Sequence, residues 1–118
     1  MLTKEIKIFK YLVILNAIVS IAITYQIVLQ NIEYLDYKIY FILFYGIVWF
    51  FSLYKIFYFS KIGLKLYILL VTFGFILNLL SDYKVYGSLY YFMTLLEHLI
   101  IGAIIALSFF SKIKTKFI

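Results

Sequence analysis

The stretch SLYYFMTLLEHLIIGAIIALSFF, residues 88–110, decides the class of fold to which this chain belongs. It is apolar almost throughout and contains no proline. Its length matches the roughly 20 residues that a helix needs to cross a hydrocarbon core of about 30 Å. Two exceptions to the apolar pattern, Glu97 and His98, stand side by side near its centre. The stretch therefore predicts a membrane-spanning helix with two ionisable side chains inside the bilayer.

Three earlier segments share this apolar character. None contains a proline, and none shows the alternating pattern of strands in a membrane barrel. Together with Ser88–Phe110 they predict an all-α polytopic membrane protein with four transmembrane helices and no soluble domain. We expect one membrane domain over residues 1–118, with the three earlier spans at Ile8–Leu29, Lys38–Phe59 and Ile62–Leu80.

The composition of the whole chain agrees with lipid as its solvent. Of 118 residues, 67% are hydrophobic and 14% are charged, whereas a soluble domain is about half apolar and about one-quarter charged. Cysteine is missing, which excludes disulfides, thiolate metal sites and cysteine catalysis. Arginine and proline are missing too. This bias toward AT-rich codons favours an organellar gene, with an AT-rich bacterium as the alternative.

Lysines give the chain its net charge of +6, and their positions predict its orientation. Most of them lie in three regions that share one side of a four-span protein, whereas Lys38 and Lys84 lie on the other side. By the positive-inside rule, both termini then face the matrix at the mitochondrial inner membrane, or the cytoplasm of a bacterium. We expect these lysines to meet lipids and not nucleic acid. The lysines on the terminal side are Lys4, Lys7, Lys10, Lys55, Lys61, Lys65, Lys112, Lys114 and Lys116.

Glu97 lies near the middle of its span, where a carboxyl group is least favourable. Insertion scales assign about +3 kcal/mol to an acid at this depth and about −0.4 kcal/mol to each leucine, isoleucine or phenylalanine. The twelve such residues in Ser88–Phe110 contribute roughly −5 kcal/mol, so the span inserts despite Glu97. An ionisable residue at this depth indicates function by default. Two roles are open: a proton relay, or a protonated carboxyl that makes a structural hydrogen bond between helices.

Other polar residues in the spans are candidates for supporting Glu97 or for joining helices. His98 points about 100° away from Glu97 on the helix. As the only histidine, it is expected to give local support and not to form a metal site. Thr94 lies on the Glu97 side and Asn78 lies on the third span, so both are possible support. Asn16 and Asn78 are expected mainly to join helices through hydrogen bonds.

Small residues predict where helices come close together. Gly102 and Ala106 form a small-xxx-small pair on the side of the fourth span that is opposite to Glu97. Gly74 is a further small residue in the third span. A helix with a polar face on one side and a small-residue face on the other is expected to be buried in an assembly.

The last three spans resemble the NuoK-type subunit, chain 4L, of respiratory complex I. The stretch EHLIIGAIIAL, residues 97–107, is similar to the third-helix pattern of that family, a glutamate followed by a glycine and an aliphatic run. The stretch LLVTFGFILNLL, residues 69–80, is similar to the pattern around its second-helix glutamate. Gly74 stands where that second glutamate would be, and Gly102 follows Glu97 by five residues where the family has four.

The resemblance implies a small, non-redox membrane subunit of a proton-translocating NADH:ubiquinone oxidoreductase, with Glu97 in the proton path. It also implies other membrane subunits of a large hetero-oligomeric complex as partners, and no cofactor bound by this chain. Two further functions are open: a structural accessory subunit of a respiratory or ATP synthase assembly, and a small transporter or channel formed by self-association. We expect no catalytic residue and no metal site, because the sequence offers neither a nucleophile–base pair nor a cluster of metal ligands.

Overall fold

The described part of the chain forms four long helices and a short 3-10 helix. The structure, a computed structural model, describes residues 2–31, 38–80 and 87–118. Each of the four helices has the length and the apolar character needed to cross a membrane. This confirms the prediction of an all-α protein with four membrane-spanning helices. In chain order the elements are α1 (Leu2–Gln30), α2 (Lys38–Phe57), α3 (Lys61–Leu80), α4 (Ser88–Phe110) and the 3-10 helix Lys112–Lys116.

The helix boundaries agree with the predicted spans to within one residue except at two ends. α1 begins at Leu2 and not at Ile8, so the helix continues through the amino-terminal lysines before the apolar segment starts. α2 ends at Phe57 and not at Phe59, because the chain turns at that point. The connection between α1 and α2, and the one that holds Lys84, lie outside the described residues.

The tight turn after Phe57 holds α2 and α3 close together. Phe59 adopts a left-handed conformation with φ 60°. The amide of Ser60 donates to the carbonyl of Lys55 over 3.0 Å, which is the pattern of a Schellman C-cap. The Ser60 hydroxyl accepts a hydrogen bond from the amide of Gly63, and this bond caps the start of α3. A Cβ atom at Gly63 would overlap with Lys55, so this approach requires glycine.

Aromatic side chains and the carboxyl tail pack together beside the α2–α3 turn. Phe9 of α1 is fully buried, and its ring stacks on that of Phe59 with the centroids 5.3 Å apart. Phe117 contacts both rings edge-on. Two backbone hydrogen bonds fix the tail, from the amide of Ile118 to the carbonyl of Phe59 and from the amide of Lys61 to the carbonyl of Ile118. This end of the bundle, called the closed end below, is therefore filled by apolar contacts.

The four helices pack chiefly as two pairs. α1 packs along α4 and α2 packs along α3, whereas α1 and α2 share a smaller contact and α3 barely touches α4. Leu53, Ile56 and Ile104 are among the buried core residues in the half of the bundle near the closed end. Because α3 and α4 stay apart, the other half of the bundle has space between the helices.

Candidate functional site

A cavity of about 870 Å³ lies between the four helices, in the half of the bundle away from the termini. It is partly open, and its walls are formed by residues 20–27 of α1, 41–50 of α2, 71–80 of α3 and 90–101 of α4. Apolar side chains make up most of the lining. The lining side chains with a polar or ionisable group are Ser20, Thr24, Tyr45, Trp49, Thr72, Asn78, Tyr90, Thr94, Glu97 and His98.

A buried network of hydrogen bonds lies at the inner end of the cavity, toward the closed end of the bundle. Trp49 Nε1 of α2 donates to Ser20 Oγ of α1 over 3.0 Å, and Ser20 Oγ donates to Asn16 Oδ1 over 3.2 Å. Asn16 Nδ2 then donates to Tyr67 Oη of α3 over 2.6 Å. The Tyr67 ring stacks on the Trp49 indole with the centroids 5.1 Å apart. The network ties α1, α2 and α3 together and confirms that Asn16 joins helices.

Glu97 stands in the inner part of the cavity, beside this network. At 1.5 Å per residue, its Cα atom lies about 13 Å along α4 from Ser88, which agrees with the predicted depth near the middle of the span. The side chain is partly buried and interacts electrostatically with the phenol groups of Tyr45 and Tyr67. Within the described residues, its carboxyl group has no hydrogen-bond partner.

His98 lines the same cavity, although it is more exposed than Glu97. Its Nδ1 lies 2.7 Å from the carbonyl oxygen of Thr94, a hydrogen bond in which the ring N–H donates. In the neutral ring this bond leaves Nε2 as the acceptor nitrogen. His98 is therefore bonded within its own helix. The side chains of Glu97 and His98 point in different directions around α4, yet both line the cavity.

Gly74 makes room for a hydrogen bond between α2 and α3. The Tyr45 hydroxyl donates to the carbonyl of Leu70 over 2.5 Å, and a Cβ atom at Gly74 would lie 2.6 Å from that hydroxyl oxygen. Any larger residue at this position displaces the Tyr45 side chain. The structure places Gly74, which the sequence assigns to helix packing, at this close approach between α2 and α3. Gly74 thus leaves a notch in α3 that holds the Tyr45 hydroxyl.

The other predicted residues divide between the cavity and the outer surface. Thr94 lines the cavity, and its hydroxyl donates to the carbonyl of Tyr90 in its own helix. Asn78 also lines the cavity, and its side chain bonds to none of the described residues. Gly102 and Ala106 are exposed on α4, and nothing lies within 4 Å of a Cβ atom built at Gly102. Close helix packing through this pair therefore requires a second molecule.

Apart from Asn16, sequence reasoning missed the side chains that surround the inner end of the cavity. A signal for part of them is present in α1, where Asn16, Ser20 and Thr24 recur at every fourth position and so share one helix face. Such a polar stripe in a membrane helix indicates a face turned toward protein or water. The partners Trp49 and Tyr67 give no comparable signal, because aromatic residues make up 23% of the chain.

The chemistry of the site is that of one carboxyl group in a cavity of mixed polarity. No three His, Asp or Glu side chains within residues 2–31, 38–80 and 87–118 come together as ligands for a metal ion. No family model, curated protein or solved structure matches the chain. The Glu97 carboxyl group can bind a proton or pair with a cation that enters the cavity.

Proposed function

We propose that this chain is a small integral membrane subunit of a proton-pumping respiratory complex, in which Glu97 passes protons between the cavity and a neighbouring subunit. The observation that carries the proposal is the environment of the Glu97 carboxyl group. It lies deep within a membrane span, in a partly open cavity, and is bonded to no described residue. An ionisable group at this depth makes insertion of the helix less favourable. We therefore infer a role in which the carboxyl group gains and loses a proton.

The contrast with Asn16 favours a relay over a structural hydrogen bond. Asn16 is a structural polar residue of this chain, and its amide group bonds both to Ser20 and to Tyr67. Glu97 has no such partner among the described residues. The nearby Tyr45 hydroxyl already donates to a backbone carbonyl of α3. A carboxyl group that joined helices would be expected to have bonds like those of Asn16.

A second molecule has to complete the proton path. Among the described lining residues, Glu97 is the one carboxyl group. Beyond the Asn16 network, toward the closed end, the bundle is filled mainly by side chains without an exchangeable proton, such as Leu53, Ile56 and Ile104. A proton that reaches Glu97 from the cavity therefore leaves sideways, through the gap between α3 and α4 or across the outer face of α4. This route requires a neighbouring membrane subunit with a titratable group.

The resemblance to the NuoK-type subunit suggests complex I as the assembly and the mitochondrial inner membrane as the location. The lysines on the terminal side support an orientation with both termini in the matrix. Gly74 changes the mechanism from that of the family, because the Tyr45 hydroxyl fills the notch where a second carboxyl would stand. In our proposal Glu97 therefore acts as the single relay carboxyl of this chain.

Two matched substitutions test the relay role. Each is introduced into the native gene, and the protein is studied in membranes from the cells that normally make it. Glu97→Gln keeps the shape of the side chain and removes its titration. Glu5→Gln is the matched control, because Glu5 lies near the start of α1 and does not line the cavity. We expect Glu97→Gln to lower NADH-driven proton uptake into inverted membrane vesicles by about tenfold or more, with the complex still assembled on native gels. The control should pump like the wild type.

Two outcomes would contradict the proposal. Unchanged pumping by a fully assembled Glu97→Gln complex would remove the relay role and leave a structural subunit. Purification of the tagged chain in mild detergent tests the assembly separately. A very large complex with redox cofactors supports the proposal, whereas an oligomer of this chain alone contradicts it and favours a transporter or channel.

A further inference from the structure

The cavity is much larger than a proton path requires. A water molecule occupies about 30 Å³ in the liquid, so a file of waters leading to Glu97 would use a small part of the 870 Å³ that is present. Cavities that bind small organic molecules have volumes of about 300–1,000 Å³. The size of this cavity therefore indicates room for an organic ligand.

The lining of the cavity combines aromatic rings with one acidic side chain. Aromatic rings attract cations through their electron-rich faces, and apolar ligands bury area against them. Glu97 is the only carboxyl group among the described lining residues, and no lysine is among them. The cavity thus favours a positive charge on an apolar body and disfavours an anion. The aromatic residues that line it are Phe41, Tyr45, Trp49, Phe50, Phe75 and Tyr90.

We propose that the cavity binds a hydrophobic organic cation, with Glu97 as its counter-ion. The ligand class is a quaternary ammonium or phosphonium ion, whose apolar groups contact the aromatic lining while its charge lies beside the Glu97 carboxylate. A divalent metal ion fits less well, because it usually takes several charged or imidazole ligands, and the described residues bring together no three His, Asp or Glu side chains. The gap between α3 and α4 gives such a ligand a lateral entrance from the bilayer.

Protons compete with the cation at this site. Protonation of Glu97 removes the counter-charge of the bound cation. The affinity for the cation therefore falls as the pH falls. The tyrosines and hydroxyl groups nearby gain no charge on acidification. The other titratable side chains that line the cavity among the described residues are Tyr45 of α2 and Tyr90 and His98 of α4, and Tyr67 of α3 lies within electrostatic range of Glu97.

This inference does not rest on the proposed proton path, since a chain that moves no protons could still bind the cation. The test uses the purified full-length chain in nanodiscs of neutral phosphatidylcholine, with empty nanodiscs as the blank. Trp49 is the only tryptophan of the chain and lines the cavity, so its fluorescence reports binding. The probes are tetraphenylphosphonium and tetraphenylborate, two ions of the same shape and opposite charge.

We expect saturable quenching of Trp49 by tetraphenylphosphonium at pH 8.5, and no saturable quenching by tetraphenylborate. Glu97→Gln should weaken binding by about 30-fold or more, whereas Glu97→Asp, which keeps the charge, should retain most of it. Glu5→Gln removes the same charge outside the cavity and should bind like the wild type. Far-UV circular dichroism of each variant separates a lost site from a lost fold.

The proposal is overturned if both ions bind equally, or if a folded Glu97→Gln chain binds tetraphenylphosphonium as well as the wild type does. The absence of any saturable change in Trp49 fluorescence would overturn it too, and would indicate that lipid chains fill the cavity. None of these results bears on NADH-driven proton uptake by the assembled complex. The two proposals can therefore fail separately.

Discussion

Asn16 and Tyr67 are 51 positions apart in the chain, and their side chains meet in a hydrogen bond of 2.6 Å. Both residues are fully buried. The bond joins α1 to α3, two helices that share little other direct contact. Inside a bilayer no bulk water replaces a lost partner. This contact therefore helps to hold the α2–α3 pair against the α1–α4 pair at the inner end of the cavity.

Asn16→Ala should destabilise the isolated chain. It removes the bonds from Asn16 to Tyr67 and from Ser20 to Asn16. Hydrogen bonds between membrane helices contribute about 0.6 kcal/mol on average and up to about 1.7 kcal/mol. We expect the free energy of unfolding to fall by about 1–2 kcal/mol, measured by steric trapping in bicelles.

Asn78→Ala is the matched control for this substitution. It makes the same chemical change in a side chain that is exposed and bonds to none of the described residues. We expect the free energy of unfolding to stay within about 0.5 kcal/mol of the wild-type value. Equal losses from both variants would show that the buried network adds no specific stability.

Gly63→Ala should destabilise the α2–α3 hairpin through a steric clash. A Cβ atom at Gly63 overlaps with the Lys55 side chain and lies only 3.2 Å from the backbone carbonyl carbon of Lys55. Because backbone is involved, the helices have to move apart, and overpacking of this kind costs about 1–3 kcal/mol. Thermal unfolding followed by circular dichroism measures the loss. Gly102→Ala is the control, since a Cβ atom there meets nothing within 4 Å; equal melting temperatures for the two variants would refute the close approach.

The number and length of the helices could be predicted because hydropathy and length are properties of each segment by itself. The helix α4 has the same bounds as the span predicted there. The end of α2 at Phe57 differs from the predicted end at Phe59. Phe59 takes a left-handed conformation that glycine or asparagine usually adopts at a helix end. Its ring contacts with Phe9 and Phe117 stabilise this conformation. Those contacts depend on tertiary structure and leave no local signal.

The site could be predicted only in part, for a related reason. Glu97 is identified by its depth, which the sequence gives directly. Trp49, Tyr45 and Tyr67 form hydrogen bonds to residues on other helices. Their roles therefore depend on which helices become neighbours. Each span is apolar almost all round, so hydropathy does not indicate which face meets which helix.

Gly74→Ala should break the hydrogen bond between Tyr45 and Leu70, because the added Cβ atom would lie 2.6 Å from the Tyr45 hydroxyl oxygen. We expect a loss of about 1 kcal/mol in the free energy of unfolding. A double-mutant cycle isolates the cause. In a Tyr45→Phe background the clashing oxygen is gone, so Gly74→Ala should be nearly neutral, with a coupling energy of about 0.5 kcal/mol or more. Additive losses would mean that Gly74 acts through some other contact.

Gly102→Leu tests whether the outer face of α4 contacts a partner. Gly102 is exposed, and a Cβ atom built there meets nothing within 4 Å. The isolated variant should therefore unfold at the wild-type temperature or slightly above it, since leucine favours helix more than glycine does. Where two helices approach through small residues, a leucine side chain keeps their backbones apart. We therefore expect the fraction of the chain in the proposed complex on native gels to fall, with a smaller fall for Gly102→Ala. Full assembly of Gly102→Leu would contradict a partner on this face, and the proposed contact would then have to lie at the gap between α3 and α4.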